Sequence, residues 1–293
     1  MKEIEYLNII QNTLSDSSYL GDDCALLDEF GLYVTQDTLV ENVHFILATT
    51  SPCELAQKAV NVNLSDLASN AALPLYITVS LSFPNKLGAD FVNEFYKGID
   101  ICCEKFNIKV VGGDLTSSDR LVISICAIGK KCSDINISRS CAQVGDIVVT
   151  TGFHGDSAGG LNLLLAGKTT PEYLIKKHLC PLPQIEKSKV ILNAASSVGV
   201  SRFAMMDTSD GLGDAVYKIS KSSNVTLRID TILVSDTLKA TFSDEWKDLA
   251  LWGGEDFELL FCVPQQVYDL LDKTQFYKIG VVTNESLSLK SIE

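Results

Sequence analysis

Leu75, Ile77, Val79, Leu81 and Phe83 alternate with Tyr76, Thr78, Ser80 and Ser82, a strict period of two that stops at Pro84. Successive side chains on a strand point to opposite faces, so this pattern predicts a strand with one apolar face. Residues 121–128, 146–150, 225–229, 258–263 and 277–282 also read as strands. Elsewhere the period changes. Leu55, Ala59, Leu64, Leu67 and Ala71 within 54–72, then Phe91, Phe95, Ile99 and Cys102, recur at helical spacing, and 156–166, 184–197 and 210–222 fit helices as well. In the first helix Asn63, Asp66 and Asn70 form an i, i+3, i+7 polar stripe, which either faces solvent or holds water or metal. Asp207, Asp210 and Asp214 repeat that spacing where a later helix begins.

A polar stretch, Lys130-Lys-Cys-Ser-Asp-Ile-Asn-Ile-Ser-Arg139, separates two blocks that each mix strands and helices. It predicts an N-terminal domain over 1–135 and a C-terminal domain over 136–293, of α/β plus α+β class. Asn162-Leu-Leu-Leu-Ala-Gly167-Lys168-Thr169 nearly matches a phosphate-binding loop, but Asn162 replaces the first glycine and the middle is an apolar helical run. Gly167 is better placed at a helix C-cap, with Thr170-Pro171-Glu172 restarting a helix from an N-cap and a proline at its first position.

Charge narrows the partners. The 293 residues carry 24 Lys and Arg against 37 Asp and Glu, a net charge of −13, which repels nucleic-acid backbones and anionic lipid unless bound cations reverse the local sign. No apolar run reaches a membrane span, the start Met1-Lys-Glu-Ile-Glu-Tyr lacks a signal-peptide core, and a cytoplasmic protein is expected. Nine cysteines without a C-x-x-C pair read as small buried hydrophobes in a reducing compartment.

The acids fall beside glycines and turn signals: Gly21-Asp22-Asp23, Gln36-Asp37-Thr38, Gly112-Gly113-Asp114, Asp207-Thr-Ser-Asp210-Gly211 and Gly253-Gly254-Glu255-Asp256. Acids in such places either cap helices and turns or converge on a ligand. Two carboxylates about 5 Å apart repel by roughly 3 kcal/mol at an effective dielectric of ~20, so a convergent cluster implies bound cations. Oxygen ligands without a His or Cys pattern select hard ions, magnesium first, completed by water and phosphate oxygens. Gly152-Phe-His-Gly155-Asp-Ser-Ala-Gly159-Gly160, opening a helix, either supplies backbone donors to a phosphate or packs helix on strand.

Gly21-Asp-Asp-Cys-Ala-Leu-Leu27, Asp37-Thr-Leu-Val-Glu-Asn-Val-His-Phe45, Lys58-Ala-Val-Asn-Val-Asn-Leu-Ser-Asp-Leu-Ala68, Val111-Gly-Gly-Asp-Leu-Thr116, Asp207-Thr-Ser-Asp-Gly-Leu212 and Gly253-Gly-Glu-Asp-Phe-Glu-Leu-Leu260 resemble, in order, the motifs of the thiamine-monophosphate kinase family. The resemblance implies the two-domain fold of aminoimidazole-ribotide synthetase and selenophosphate synthetase. It also implies a homodimer through the N-terminal sheet, and ATP with several magnesium ions in a cleft between the domains. It places Asp23, Thr35, Asp37, Asp66, Asp114, Asp207 and Asp210 at metal-ligand positions, with Asp37 and Asp66 able to bridge ions. Gly113, Asp114, Arg139 and Ser209 match nucleotide contacts, Phe106 an aromatic place near adenine, and His44 and Glu255 contacts to thiamine monophosphate. Arg139 also suits a phosphate unaided, because a guanidinium in an interdomain linker forks onto phosphate oxygens, although a surface salt bridge is the common fate of such a residue.

Two departures stand out. Gln36 occupies a Ser or Thr position, which removes one expected metal contact, and Leu287-Ser-Leu-Lys-Ser-Ile-Glu293 lacks the family's aromatic-rich ending. Either another ring such as Trp252 substitutes, or substrate binds more weakly. The implied activity is transfer of the γ-phosphoryl group of ATP to the phosphate of thiamine monophosphate, giving thiamine diphosphate. The alternatives are a selenophosphate-synthetase or hydrogenase-maturation type of enzyme, or a non-catalytic nucleotide-binding relative.

Overall fold

In the computed structural model, which describes residues 3–284, two sheets share one helical spine; the ending at 287–293 lies outside the described residues. The first sheet contains β1 (Ala25–Leu27), β2 (Leu32–Val40), β3 (Leu73–Phe83), β4 (Lys109–Ser117) and β5 (Val122–Lys130) in the order β1-β2-β5-β3-β4, with only β3 and β4 parallel. The second contains β6 (Asn136–Ile137), β7 (Ile147–Thr150), β8 (Arg202–Asp207), β9 (Thr226–Ile229), β10 (Leu259–Val263) and β11 (Tyr277–Thr283) in the order β6-β8-β10-β7-β11-β9. Helices α1 (Glu3–Thr13), α2 (Pro52–Ser69), α3 (Gly88–Phe106), α4 (Asp156–Leu165), α5 (Glu172–Leu179), α6 (Ile185–Ser197) and α7 (Leu212–Ser223) precede three shorter ones in the C-terminal half.

The period-two residues Ile77, Val79 and Leu81 of β3 face the protein's own core, as do Ile123, Ile125 and Ala127 of β5. The buried face of β3 is therefore spent inside one chain and offers no dimer surface. Exposed apolar residues lie on the outer strand β4, at Val110, Val111 and Leu115, and on β3 at Leu73 and Tyr76.

Helix α2 departs most from a simple amphipathic reading. Ser51 and Glu54 close a reciprocal capping box and Pro52 opens the first turn, which sets its start. It then lies between the two sheets, against β2, β5 and α3 on one side and β8 and α6 on the other, and 13 of its 18 residues are buried. Its polar residues do not face solvent. Asn61 Nδ2 donates to Pro181 O at 2.9 Å, and Asn63 Nδ2 to Ala59 O at 2.9 Å. Ala68 O accepts from Ser188 Oγ at 2.6 Å, and Asn70 Nδ2, just beyond the helix, donates to Ile137 O at 3.0 Å. Buried polar groups are costly unless paired, and these pairs fix the spine to both halves. Asn63 and Asn70 thus have structural partners, and of the three stripe residues only Asp66 is left for a ligand.

Gly167 (φ 67°) ends α4, and α5 starts at Glu172 with Pro171 itself at the N-cap, one residue later than predicted. The Gly152–Gly160 segment is explained by packing. A Cβ at Gly160 would lie 2.1 Å from Leu174 O, and the amides of Gly155 and Ser157 at the start of α4 already donate to the Asp256 carboxylate.

Candidate active site

Three segments far apart in sequence bring acids together between the sheets: the turn before β1, the middle of α2, and the end of β8. Ligand atoms of Asp23, Asp66 and Asp207 all lie within 4.8 Å of one another. Thr35 and Asp37 of β2 border the same cleft, which has a volume of about 1,190 Å³ and is roofed by α1. Thr35 Oγ1 donates to Asp66 Oδ2, Ser65 Oγ to Asp207 Oδ2 at 2.6 Å, and Asp37 N to Asn63 Oδ1 at 3.0 Å. The inward face of β2 therefore carries Tyr33, Thr35 and Leu39. Gln36 lies on the other face, donating to Ser124 Oγ at 3.2 Å.

Ionised carboxylates within 4.8 Å of one another repel by about 3.5 kcal/mol per pair at an effective dielectric of ~20, which opposes ionisation of all three at once. Burial, with neighbouring acids adding to it, pushes Asp23 up to about 7 and Asp37 up to about 6. Asp66 and Asp207 are raised too, mainly by burial. Arg139 pulls Asp23 the other way, with NH2 bonded to its Oδ1 and Nε 3.5 Å from Asp22. Even so, Asp23 Oδ2 is buried with no hydrogen-bond partner among the described residues. An orphaned carboxylate oxygen among oxygen-only donors fits a hard divalent cation.

The remaining expected ligands stand apart from this trio. Asp207 ends β8, whereas Asp210 is exposed and shares Lys218 with Asp214, at 2.8 and 2.7 Å; the three do not form one helical face. Asp210 lies at the rim of the cleft. Asp114 and Gly113 sit on the exposed outer strand β4, with Phe106 at the end of α3 just before it. Three strand spacings separate β2 from β4, about 14 Å, so within one chain Asp114 does not join the trio. Gly113 has a packing reason: a Cβ there would lie 1.9 Å from Val79 O.

A second cavity of about 380 Å³ is bordered by His44, Phe45, Leu161, Leu164, Gly254 and Glu255, among others. His44 Nδ1 accepts from Val40 N–H at 3.0 Å, so the ring hydrogen sits on Nε2 as a donor. Glu255 has a left-handed backbone (φ 67°), rare for a non-glycine residue, and its N–H donates to Ser209 O at 2.7 Å. That bond ties the second cavity to the turn that carries Asp207. Lys58 of α2, 1% exposed, reaches Glu255 Oε2 at 3.0 Å. The ring of Trp252 is not on this cavity; it packs against Gly213, and Phe45 is the aromatic ring at the wall.

Sequence reasoning passed over Lys58, His178, Asp22 and Ser65. The available signal was Lys58 itself, a lone cation among Leu55, Ala56, Ala59 and Val60.

The fold is AIR-synthase-like, and the family described as AIR synthase related protein, N-terminal domain, matches residues 21–130. The thiamine-monophosphate kinase of Synechococcus elongatus is 37% identical over 279 residues, covering 90% of this chain and 84% of that protein. A solved structure of AaThiL complexed with AMPPCP and TMP superposes with a TM-score of 0.86 at 32% identity, covering 97% of this chain and 91% of that one. The chain belongs to the thiamine-monophosphate kinase family. The HypE–HypF complex, at 19% identity, TM-score 0.79 and coverages of 97% and 94%, shares the fold alone.

Proposed function

We propose that this chain transfers the γ-phosphoryl group of ATP to the phosphate of thiamine monophosphate, giving thiamine diphosphate. One observation carries the reading: an acid cleft suited to magnesium and nucleotide phosphates and a separate cavity suited to an organic acceptor are linked through the Glu255 N–H to Ser209 O bond. Asp23, Thr35, Asp37, Asp66 and Asp207 would hold magnesium, with Asp210 at the rim of the cleft. Bound magnesium supplies charge neutralisation on the transferring phosphates. Arg139, paired with Asp22 and Asp23, would fork onto phosphate oxygens, and Ser209 would contact the nucleotide. His44 Nε2–H donates to the acceptor and Glu255 accepts from its aminopyrimidine. The acceptor phosphate is already an oxyanion, so positioning does the work and no general base is required. The nine free thiols suit a reducing cytoplasm. Incubation of the purified chain with magnesium, ATP and thiamine monophosphate tests the reading: thiamine diphosphate appears with ADP, and nucleotide binding without product would instead make the chain a non-catalytic relative.

The same reading includes a homodimer built on β4. An exposed outer strand with apolar Val110, Val111 and Leu115 is poised to pair with a second copy. Gly113, Asp114 and Phe106, remote from their own chain's acid trio, then serve the nucleotide site of the partner copy. Sedimentation at micromolar protein and high salt is expected to give twice 31.9 kDa; a 31.9 kDa species alone would overturn the dimer.

Glu255→Gln is expected to weaken thiamine-monophosphate binding by roughly 10- to 100-fold, the cost of a hydrogen bond to a charged group. Affinity for magnesium ATP stays nearly unchanged. Titration of both ligands checks this, and equal losses would put Glu255 in the metal cluster.

A further inference from the structure

Glu255 is held by two side chains for which the reaction itself has no use. Lys58 Nζ is 3.0 Å from Oε2, and its other hydrogen bond among the described residues goes to His44 O at 3.4 Å. His178 Nδ1, also buried, is 3.2 Å from the same Oε2 and 3.2 Å from Ser157 Oγ. Burial, with Lys58 adding to it, holds His178 neutral down to about 3. A carboxylate oxygen only accepts, so the tautomer with its hydrogen on Nδ1 suits the oxygen beside it. Lys58 donates to Oε2, and the His178 ring stands against that same oxygen. Among the described residues Oε1 has no hydrogen-bond partner, and Glu255 borders the cavity with a backbone pinned at φ 67° by Ser209.

We propose that Lys58 and His178 are positioning residues that occupy Oε2 of Glu255 and present Oε1 to the cavity as a fixed acceptor, so that the site selects an acceptor ring bearing an amino group and rejects the same ring bearing an oxo group. This rests on the reading that the thiamine pyrimidine meets Glu255. A 4-amino group donates to Oε1, whereas a 4-oxo group sets one acceptor against another. Sites built around a ligand hydrogen bond discriminate far more strongly than apolar pockets do, because a buried group is otherwise left unpaired. With the ammonium gone, the carboxylate can turn and no longer holds Oε1 toward the cavity. The oxo ring is then tolerated.

The test measures kcat/KM for thiamine monophosphate and for its 4-oxo analogue in the wild type, Lys58→Met, His178→Leu and Glu255→Gln. The wild type is expected to favour the amino form by about 100-fold or more, Lys58→Met to cut that ratio at least tenfold, and His178→Leu to cut it by a smaller factor. A general loss of structure lowers both efficiencies and leaves their ratio alone. A ratio in Lys58→Met within twofold of wild type therefore overturns the proposal, and should that variant not fold, the same outcome in His178→Leu does so. Glu255→Gln separates the two levels. If it shifts the ratio while the other variants do not, only the positioning role fails; if it leaves the ratio at the wild-type value, the pyrimidine lies elsewhere and the site reading fails with it.

Discussion

Turnover of Asp66→Asn is expected to fall by about three orders of magnitude, roughly 4 kcal/mol of transition-state stabilisation, while the fold persists. Asp66 stands within 4.8 Å of ligand atoms of both Asp23 and Asp207 and is proposed to hold a cation that would neutralise charge on the transferring phosphates. An amide of the same shape still accepts from Thr35 Oγ1, so the local hydrogen bond survives. Loss of the charge removes two of the three close repulsions, and the cation-free variant is accordingly expected to be at least as stable as the wild type. Product formation at saturating magnesium, with thermal unfolding in chelator, checks both halves. Wild-type turnover would remove Asp66 from the site, and a lower unfolding temperature in chelator would make it a structural acid. Asp207→Asn should also lose turnover, but Asp207 additionally accepts from Ser65 Oγ and Ser209 N, so some stability is lost as well.

Stabilisation by magnesium is expected to be markedly larger at pH 8 than at pH 5.5. In the cation-free fold Asp23 and Asp37 titrate at about 7 and about 6 rather than 3.8, chiefly through burial. A raised carboxyl pKa contributes stability below 3.8 that is lost as pH climbs to 6–7, because the folded state then must carry buried, mutually repelling charges. His154 and His178, held neutral down to about 3 by burial, act in the opposite sense: their stability is present above 6.5 and is lost as pH falls towards 3. A bare melting curve against pH mixes the two trends. Magnesium binds only ionised carboxylates, so the increment it produces isolates the acids and grows with pH. Unfolding temperatures with and without millimolar magnesium at both pH values test this. Equal increments would place magnesium outside the cluster, and in Asp66→Asn the increment should shrink at both.

Much of the framework is legible along the chain. The alternation at Leu75–Phe83 predicts β3, the helical spacing of Phe91, Phe95 and Ile99 predicts α3, and the near phosphate loop at Asn162 is a helix ending at Gly167. Those signals are local, arising from backbone geometry over a few residues. The strands that carry the site are harder to see. Strand β2 places Thr35 on its inward face where an apolar residue would mark the period, β4 contains Gly112 and Gly113 and is wholly exposed, and β8 is buried from Phe203 to Asp207 and shows no alternation.

By itself, then, the sequence determined which residues are able to form the site: the acids at glycine turns, the polar stripe of α2 and the family motifs that order them. Tertiary structure decided which of them meet. Asp23, Asp66 and Asp207 converge because α2 runs buried between the two sheets, whereas Asp210 and Asp214 turn to Lys218 and Asp114 lies three strands away. It also decided that Lys58, one cation on an apolar helix, ends beside Glu255. Local spacing specifies a residue's face on its own element, while convergence depends on strand order and on contacts across nearly 200 residues of chain, as in the separation of 197 between Lys58 and Glu255.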